Sequence, residues 1–125
     1  MSSGRRRAAF GPALTLLLLP GLTAAELKTV GRGKEITLVR EQFPPEYQAR
    51  FDLFAKRCTR CHEMARPIVA LQTGVTPISG GSFEAEGIKM YVIKMMQKLN
   101  SGLDREDARE IIPLLTYARE QAKAR

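Results

Sequence analysis

The stretch Arg57-Cys58-Thr59-Arg60-Cys61-His62, RCTRCH, contains both cysteines and the only histidine of the 125-residue chain. Its last five residues form the pattern Cys-x-x-Cys-His, with two thiols three positions apart and an imidazole directly after them. The rest of the chain has no Cys or His that might complete a site. Whatever chemistry these groups perform must therefore use all three together, with help only from other residue types.

Cys-x-x-Cys-His is the attachment pattern of c-type haem. The thiols of Cys58 and Cys61 would add to the two vinyl groups of the haem as thioethers, and their spacing would bring both sulfurs to one edge of the ring. His62 would then bind the iron as its proximal ligand. Because this use consumes both cysteines and the histidine, the pattern predicts one covalently attached haem c with its iron.

Two other uses of the motif remain open. A chain exported from the cytoplasm can form a disulfide, but the thioredoxin type of Cys-x-x-Cys requires a strand–helix context that is not predicted around this motif. A closed structural zinc site needs four ligands. This chain offers three, so a carboxylate or a second chain would have to supply the fourth.

The first 25 residues have the organisation of a secretory signal peptide. Three arginines at positions 5–7 precede an apolar run over residues 8–22, and small residues follow up to Ala25. This order of basic, apolar and small residues is typical of an export signal with a cleavage site. We therefore predict a signal peptide over residues 1–25 and a periplasmic location. A retained membrane anchor is the alternative, although a spanning helix needs about 20 apolar residues.

The charge balance indicates the kind of partner. The formal net charge of the whole chain is +7, and removal of the three arginines of the signal peptide lowers it to +4. This surplus favours association with acidic proteins through electrostatic steering. The basic residues are scattered among acidic ones without interleaved aromatic residues, which argues against nucleic acid as a partner. We expect redox proteins with an acidic docking surface.

Apolar residues at helical spacing predict three helices. The first covers residues 46–58 and ends on the first cysteine. The second covers about residues 82–99, with Ser82 as its cap, and the third covers about residues 104–123, with Asp104 as its N-cap. Residues 65–82 contain several prolines and glycines and are predicted to form a loop.

With these helices in place, the chain resembles small monohaem cytochromes c of the class I type. An apolar helix runs into the Cys-x-x-Cys-His motif, and a final helix closes the chain; the resemblance covers about residues 46–123. It implies an all-α fold in which the first and last helices cross and the haem is enclosed by loops and a middle helix. Residues 26–45 would be an N-terminal extension, and residues 46–125 the cytochrome c domain.

The family usually places a methionine sulfur on the second face of the iron. Met64 is too close in sequence to the histidine, and Met90 is on the other side of its helix from Met95. The run VIKMMQKLNSGLD resembles a subgroup of bacterial cytochromes c that includes electron-accepting subunits of sulfite-oxidising enzymes. In that subgroup a Val-x-x-Met helix precedes a glycine-containing turn. The register from Val92 implies Met95 as the sixth ligand, with Met96 as the alternative.

These patterns predict a periplasmic electron-transfer protein, not an enzyme, with one covalent haem whose axial ligands are His62 and Met95. Methionine–histidine ligation raises the reduction potential of a haem, so we expect a positive potential. Two alternatives stay open. The chain could be a cytochrome subunit fixed in a larger oxidoreductase complex, or a five-coordinate haem protein that binds a small ligand.

Overall fold

The computed structural model describes Gly11, residues 26–59 and residues 62–124. Most of the predicted signal peptide and Cys61 lie outside the described residues. Within them the chain is mostly helical, as the predicted all-α class requires, and none of the helices is both long and apolar enough to cross a membrane. The four α-helices are α1 (Pro45–Cys58), α2 (Ala65–Thr73), α3 (Ala85–Gln97) and α4 (Arg105–Lys123).

Residues 26–45 begin with a small antiparallel hairpin. Strand β1 (Thr29–Val30) pairs with β2 (Thr37–Leu38), so that Thr29 lies opposite Leu38. Short 3-10 helices, Gly33–Glu35 and Arg40–Gln42, lie in and after the turn of the hairpin. Since Leu38 is almost fully buried, the hairpin contributes to the hydrophobic core.

The segment that follows the hairpin is held on α1 by a charged pair and by stacked rings. The Arg40 guanidinium donates two hydrogen bonds to the Asp52 carboxylate, from Nε to Oδ1 at 2.7 Å and from Nη2 to Oδ2 at 2.9 Å. The buried ring of Phe43 stacks on Phe51 with a centroid distance of 5.3 Å. The N-terminal extension is therefore packed against the helical part of the chain.

The first and last helices agree with the sequence-based prediction within one residue. Helix α1 starts at Pro45, a position where proline loses no helical hydrogen bond, and ends at Cys58. Asp104 caps α4, because its Oδ1 accepts a hydrogen bond from the Asp107 N–H at 2.8 Å. The carboxylate of Asp107 accepts in return from the Asp104 N–H at 3.2 Å, which completes a capping box.

The sequence predicts a loop over residues 65–82, but the structure has helix α2 in its first half. Pro67 lies in the first turn of α2, where a backbone N–H has no helical partner to lose. Gly74 ends the helix with a left-handed φ of 76°, and its N–H donates to the Ala70 carbonyl at 2.8 Å. The proline and glycine that argued for a loop therefore mark the start and the end of a short helix.

Helix α3 is shorter than predicted, and Ser82 does not cap it. Its N-cap position is Glu84, without a side-chain capping hydrogen bond, while Ser82 forms an isolated antiparallel bridge with Val75. The backbone of Ser82 lies so close to α3 that a Cβ added at Gly87 would overlap the Ser82 carbonyl oxygen. A glycine at position 87 thus lets the loop after α2 pack directly on α3.

Helix α4 is in contact with each of the other three helices. Its apolar face is buried over its whole length, and the buried apolar residues are Ala108, Ile111, Leu114, Leu115, Ala118 and Ala122. On the opposing helices the most deeply buried side chains are Phe54 of α1, Leu71 of α2 and Ile88 of α3. The core is therefore built around α4.

One arginine of α4 joins the end of α2 to the start of α3. Arg119, whose side chain is only 11% exposed, donates from Nε and Nη2 to Glu84 Oε1 at 3.0 and 2.8 Å. Its Nη1 donates to the Leu71 carbonyl at 3.0 Å. Lys123 adds a contact to Glu84 Oε2 at 3.2 Å. Mainly because of the hydrogen bonds from Arg119, and against the effect of burial, the pKa of Glu84 is lowered.

We predict that replacement of Glu84 by glutamine lowers stability at neutral pH and has no effect in acid. A carboxyl whose pKa is lowered by folding stabilises the protein above its unfolded pKa of about 4.5, and this contribution disappears as the pH falls through the folded pKa. The measurement is the thermal midpoint of wild type and Glu84→Gln between pH 7 and pH 3.

The matched control is Glu86→Gln, an exposed glutamate in the first turn of the same helix. We expect it to change the midpoint much less than Glu84→Gln does at pH 7. A difference between wild type and Glu84→Gln that stays constant down to pH 3 would contradict a charge-dependent contact between Glu84 and Arg119.

Candidate functional site

His62 lies in the short connection between α1 and α2. Its Nδ1 is 3.2 Å from the backbone carbonyl oxygen of Glu63. In the tautomer with the proton on Nδ1, this N–H donates to the carbonyl and the Nε2 lone pair is free to bind a metal. Such a contact to the second ring nitrogen commonly fixes the orientation of a ligating histidine.

His62 and Met95 line the same cleft, which has a volume of about 450 Å³. One wall comes from α2, the second from α3 and the third from residues 76–79 of the loop between these helices. Pockets for small molecules and cofactors usually measure about 300 to 1,000 Å³. The cleft is therefore of the size expected for a bound organic group.

Cys58 lines a smaller cavity of about 50 Å³ that adjoins this cleft. The cleft and the smaller cavity share four lining residues, His62, Tyr91, Met95 and Lys98. The structure thus brings Cys58 of α1, His62 and Met95 of α3 around adjoining spaces. Cys61, the remaining residue of the predicted site, lies outside the described residues.

The methionines of the described residues differ sharply in their surroundings. Met95 lines both the cleft and the smaller cavity. Its neighbour Met96 packs against the hydrophobic core, and Met64 is itself part of that core. Met90 is 51% exposed. Of these four, only Met95 lines the cleft, while Met64 lines a separate space of about 580 Å³ on another side of His62.

The environment of Cys58 keeps its sulfur neutral. Burial, with a smaller contribution from the negative charge of Asp107, raises the pKa of the thiol to about 12. Nucleophilic and zinc-binding cysteines act as thiolates and usually have a lowered pKa. A thioether is uncharged, so conversion of this sulfur to a thioether would suit its surroundings better than ionisation.

The cleft carries positive charge. Arg66, Lys94 and Lys98 line it, and Arg57 lines the smaller cavity. Among the described residues, no aspartate or glutamate lines either space. Positive side chains concentrated in a concave surface attract an anionic ligand. A group with ionised carboxylates, such as a haem, fits this charge.

The loop wall of the cleft is held by hydrogen bonds within the loop itself. The Thr76 N–H donates to the Gly81 carbonyl at 2.9 Å, and the Gly81 N–H donates to Thr76 Oγ1 at 2.9 Å. Next to this loop the buried ring of Phe83 meets Tyr91 edge-on at 5.2 Å between centroids. Burial also raises the pKa of Tyr91 to about 12, so its hydroxyl remains protonated and can donate. This wall is therefore preformed.

The sequence singles out the motif and Met95 but not most of the other residues that line the cleft. Tyr91 precedes Met95 by one helical turn, and Lys94 precedes Lys98 by the same interval. Since residues four apart share one face of a helix, the choice of Met95 already implied that Tyr91 lies nearby. The loop residues Thr76 and Ser79 gave no such signal, because they lie outside the helices and no helical spacing relates them to Met95.

The zinc alternative needs Cys58, Cys61 and His62 together. In the described part of the chain, which lacks Cys61, no group of three or more His, Cys, Asp or Glu side chains is arranged to hold a metal ion.

No protein-family model matches the chain, and comparisons with curated proteins and with solved structures find no match either. The motif and the geometry around it are thus the basis for assigning a function.

Proposed function

We propose that the protein is a periplasmic electron-transfer protein with one covalently attached haem c and His62–Met95 axial ligation. The observation that carries this proposal is that His62 of the Cys-x-x-Cys-His motif lines the same cleft as Met95. When bound, the haem iron would accept one electron and later release it. The protein itself would change no substrate, so it would not be an enzyme.

The residues of the chain fit such a group in type and in charge. Cys58 and Cys61 would hold the haem as thioethers. The contact between His62 Nδ1 and the Glu63 carbonyl leaves Nε2 available for the iron. The cationic residues of the cleft would offset the negative carboxylates of the haem.

The arrangement of helices supports the finer proposal of a class I cytochrome c fold. Helix α1 leads into the motif and packs against the last helix, α4. Helix α3, which carries Met95, would correspond to the middle helix, and residues 76–79 form one wall of the cleft. The resemblance to class I cytochromes c implies that a middle helix and loops of this kind enclose the haem.

Met95 also supports the electron-transfer proposal over the alternative of a five-coordinate haem that binds a small ligand. A thioether beside the cleft can occupy the sixth position, and electron carriers benefit when both axial positions are filled by the protein. Because methionine–histidine ligation favours the reduced iron, the potential should be positive.

We predict different spectra for Met95→Ala and Met96→Ala. Iron bound to methionine sulfur gives a weak ferric band near the red end of the spectrum. This band should be present in the wild type, absent from Met95→Ala and retained in Met96→Ala, since Met96 packs in the core. The measurement is the absorption spectrum of the purified holoproteins, produced with export and haem attachment.

If the band were lost from Met96→Ala and retained in Met95→Ala, Met96 and not Met95 would be the ligand of the iron. A wild-type spectrum that is high-spin, from a protein that binds carbon monoxide at once, would contradict the electron-carrier proposal. Met90→Ala is the control for the loss of a methionine from α3, because Met90 is largely exposed.

The redox partner would present an acidic surface to the mouth of the cleft, whether the protein acts as a free carrier or as a subunit of a larger complex. Lys98 is exposed and lines the cleft, whereas Lys89 of α3 is exposed but is not among the lining residues. With a strongly acidic flavoprotein as reductant, Lys98→Gln should slow reduction at low ionic strength more than Lys89→Gln does. The difference should vanish at high salt, because salt screens exposed charges; equal rates at low salt would contradict this docking site.

A further inference from the structure

Arg57 places a positive charge next to the candidate haem site. It lies in the last turn of α1, directly before Cys58. Its side chain lines the smaller cavity together with Cys58, His62 and Met95. Its Nε atom is 3.4 Å from Oδ2 of Asp107 in α4.

The position of Asp107 is fixed by a second role. Its carboxylate is almost completely buried and accepts the Asp104 N–H at the start of α4. The negative charge of Asp107 also reaches the motif, since it contributes to the raised pKa of the Cys58 thiol. An anchored carboxylate thus lies within ion-pair distance of the arginine, and its negative charge acts on Cys58.

The contact between Arg57 and Asp107 is at ion-pair distance but is not a hydrogen bond. The Nε of Arg57 is buried without a hydrogen-bond partner in the described residues. A buried donor without a hydrogen bond costs free energy, so this contact stabilises Arg57 less than a hydrogen-bonded pair would. Arg57 thus keeps a loosely held positive charge on the wall of the smaller cavity.

A second ion pair between α1 and α4 differs from the pair of Arg57 and Asp107 in both its geometry and its location. Arg50 of α1 donates from Nε to Glu110 Oε2 of α4 at 3.0 Å, so that this pair is hydrogen-bonded. Neither of its members lines the cleft or the smaller cavity. The two helices therefore carry one ion pair away from the site and one beside it.

We propose that Arg57 is a positioning and tuning residue whose guanidinium, held by Asp107, raises the midpoint potential of the bound haem. This inference rests on the proposed function. Uptake of one electron from a redox partner adds one negative charge at the site, and a nearby positive charge stabilises that state. The carboxylate of Asp107 acts in the opposite sense.

The test is a midpoint-potential titration of the holoprotein and its variants. Arg57→Gln should lower the ratio of reduced to oxidised protein at a fixed potential by about tenfold. For a one-electron couple, this corresponds to a midpoint potential that is lower by about 59 mV. Arg57→Lys keeps the charge and should stay close to the wild type. Asp107→Asn should shift the potential upward, and Arg50→Gln, the matched control, should leave it unchanged.

Opposite shifts for Arg57→Gln and Asp107→Asn are the signature of an electrostatic effect. Shifts of the same sign, or an Arg50→Gln shift as large as that of Arg57→Gln, would reveal a general disturbance of the α1–α4 contact and would overturn the inference. Unchanged potentials in proteins that retain their haem would overturn it while leaving the proposed function intact. A wild type without covalent haem would overturn the proposed function itself.

Discussion

The packing of α4 against the other three helices is the constraint on which the rest of the structure depends. Its N-terminal end reaches the cysteine-bearing end of α1 through Asp107 and Arg57. Its C-terminal half reaches the start of α3 and the end of α2 through Arg119. The candidate site lies among α1, α2 and α3, and α4 contacts all three. The relative placement of Cys58 and Met95 therefore depends on a helix that contributes no residue to either cavity.

The choice between two adjacent methionines follows from helix geometry. Successive residues of an α-helix are turned by about 100°, because there are 3.6 residues per turn. Met95 and Met96 consequently point in different directions, one toward the cleft and the other toward the core. The same geometry groups Tyr91 and Lys98 with Met95 on the face that lines the cleft.

Much of the fold could be predicted because its signals are local. The apolar spacing of α1 and the capping aspartate of α4 act within a few residues, and both helices lie where they were expected. Helix α2 was missed because Pro67 and Gly74 are also typical of loops, and only their positions within the helix distinguish the two cases. The cleft could not be predicted, since the ends of its loop wall are placed by contacts distant in sequence, Gly74 beside Arg119 of α4 and Ser82 against Gly87 of α3.

The proposed covalent haem on Cys58 and Cys61 would account for a partly buried cysteine, with a pKa raised to about 12, next to a cationic cleft. A neutral thioether would suit the partly buried sulfur, and the anionic substituents of the ring would suit the cations. The most direct test is the intact mass of the exported protein, measured under denaturing conditions after production with a haem-attachment system. The predicted mass is that of residues 26–125 plus one haem. The mass of a bare polypeptide from the same cells would contradict covalent attachment.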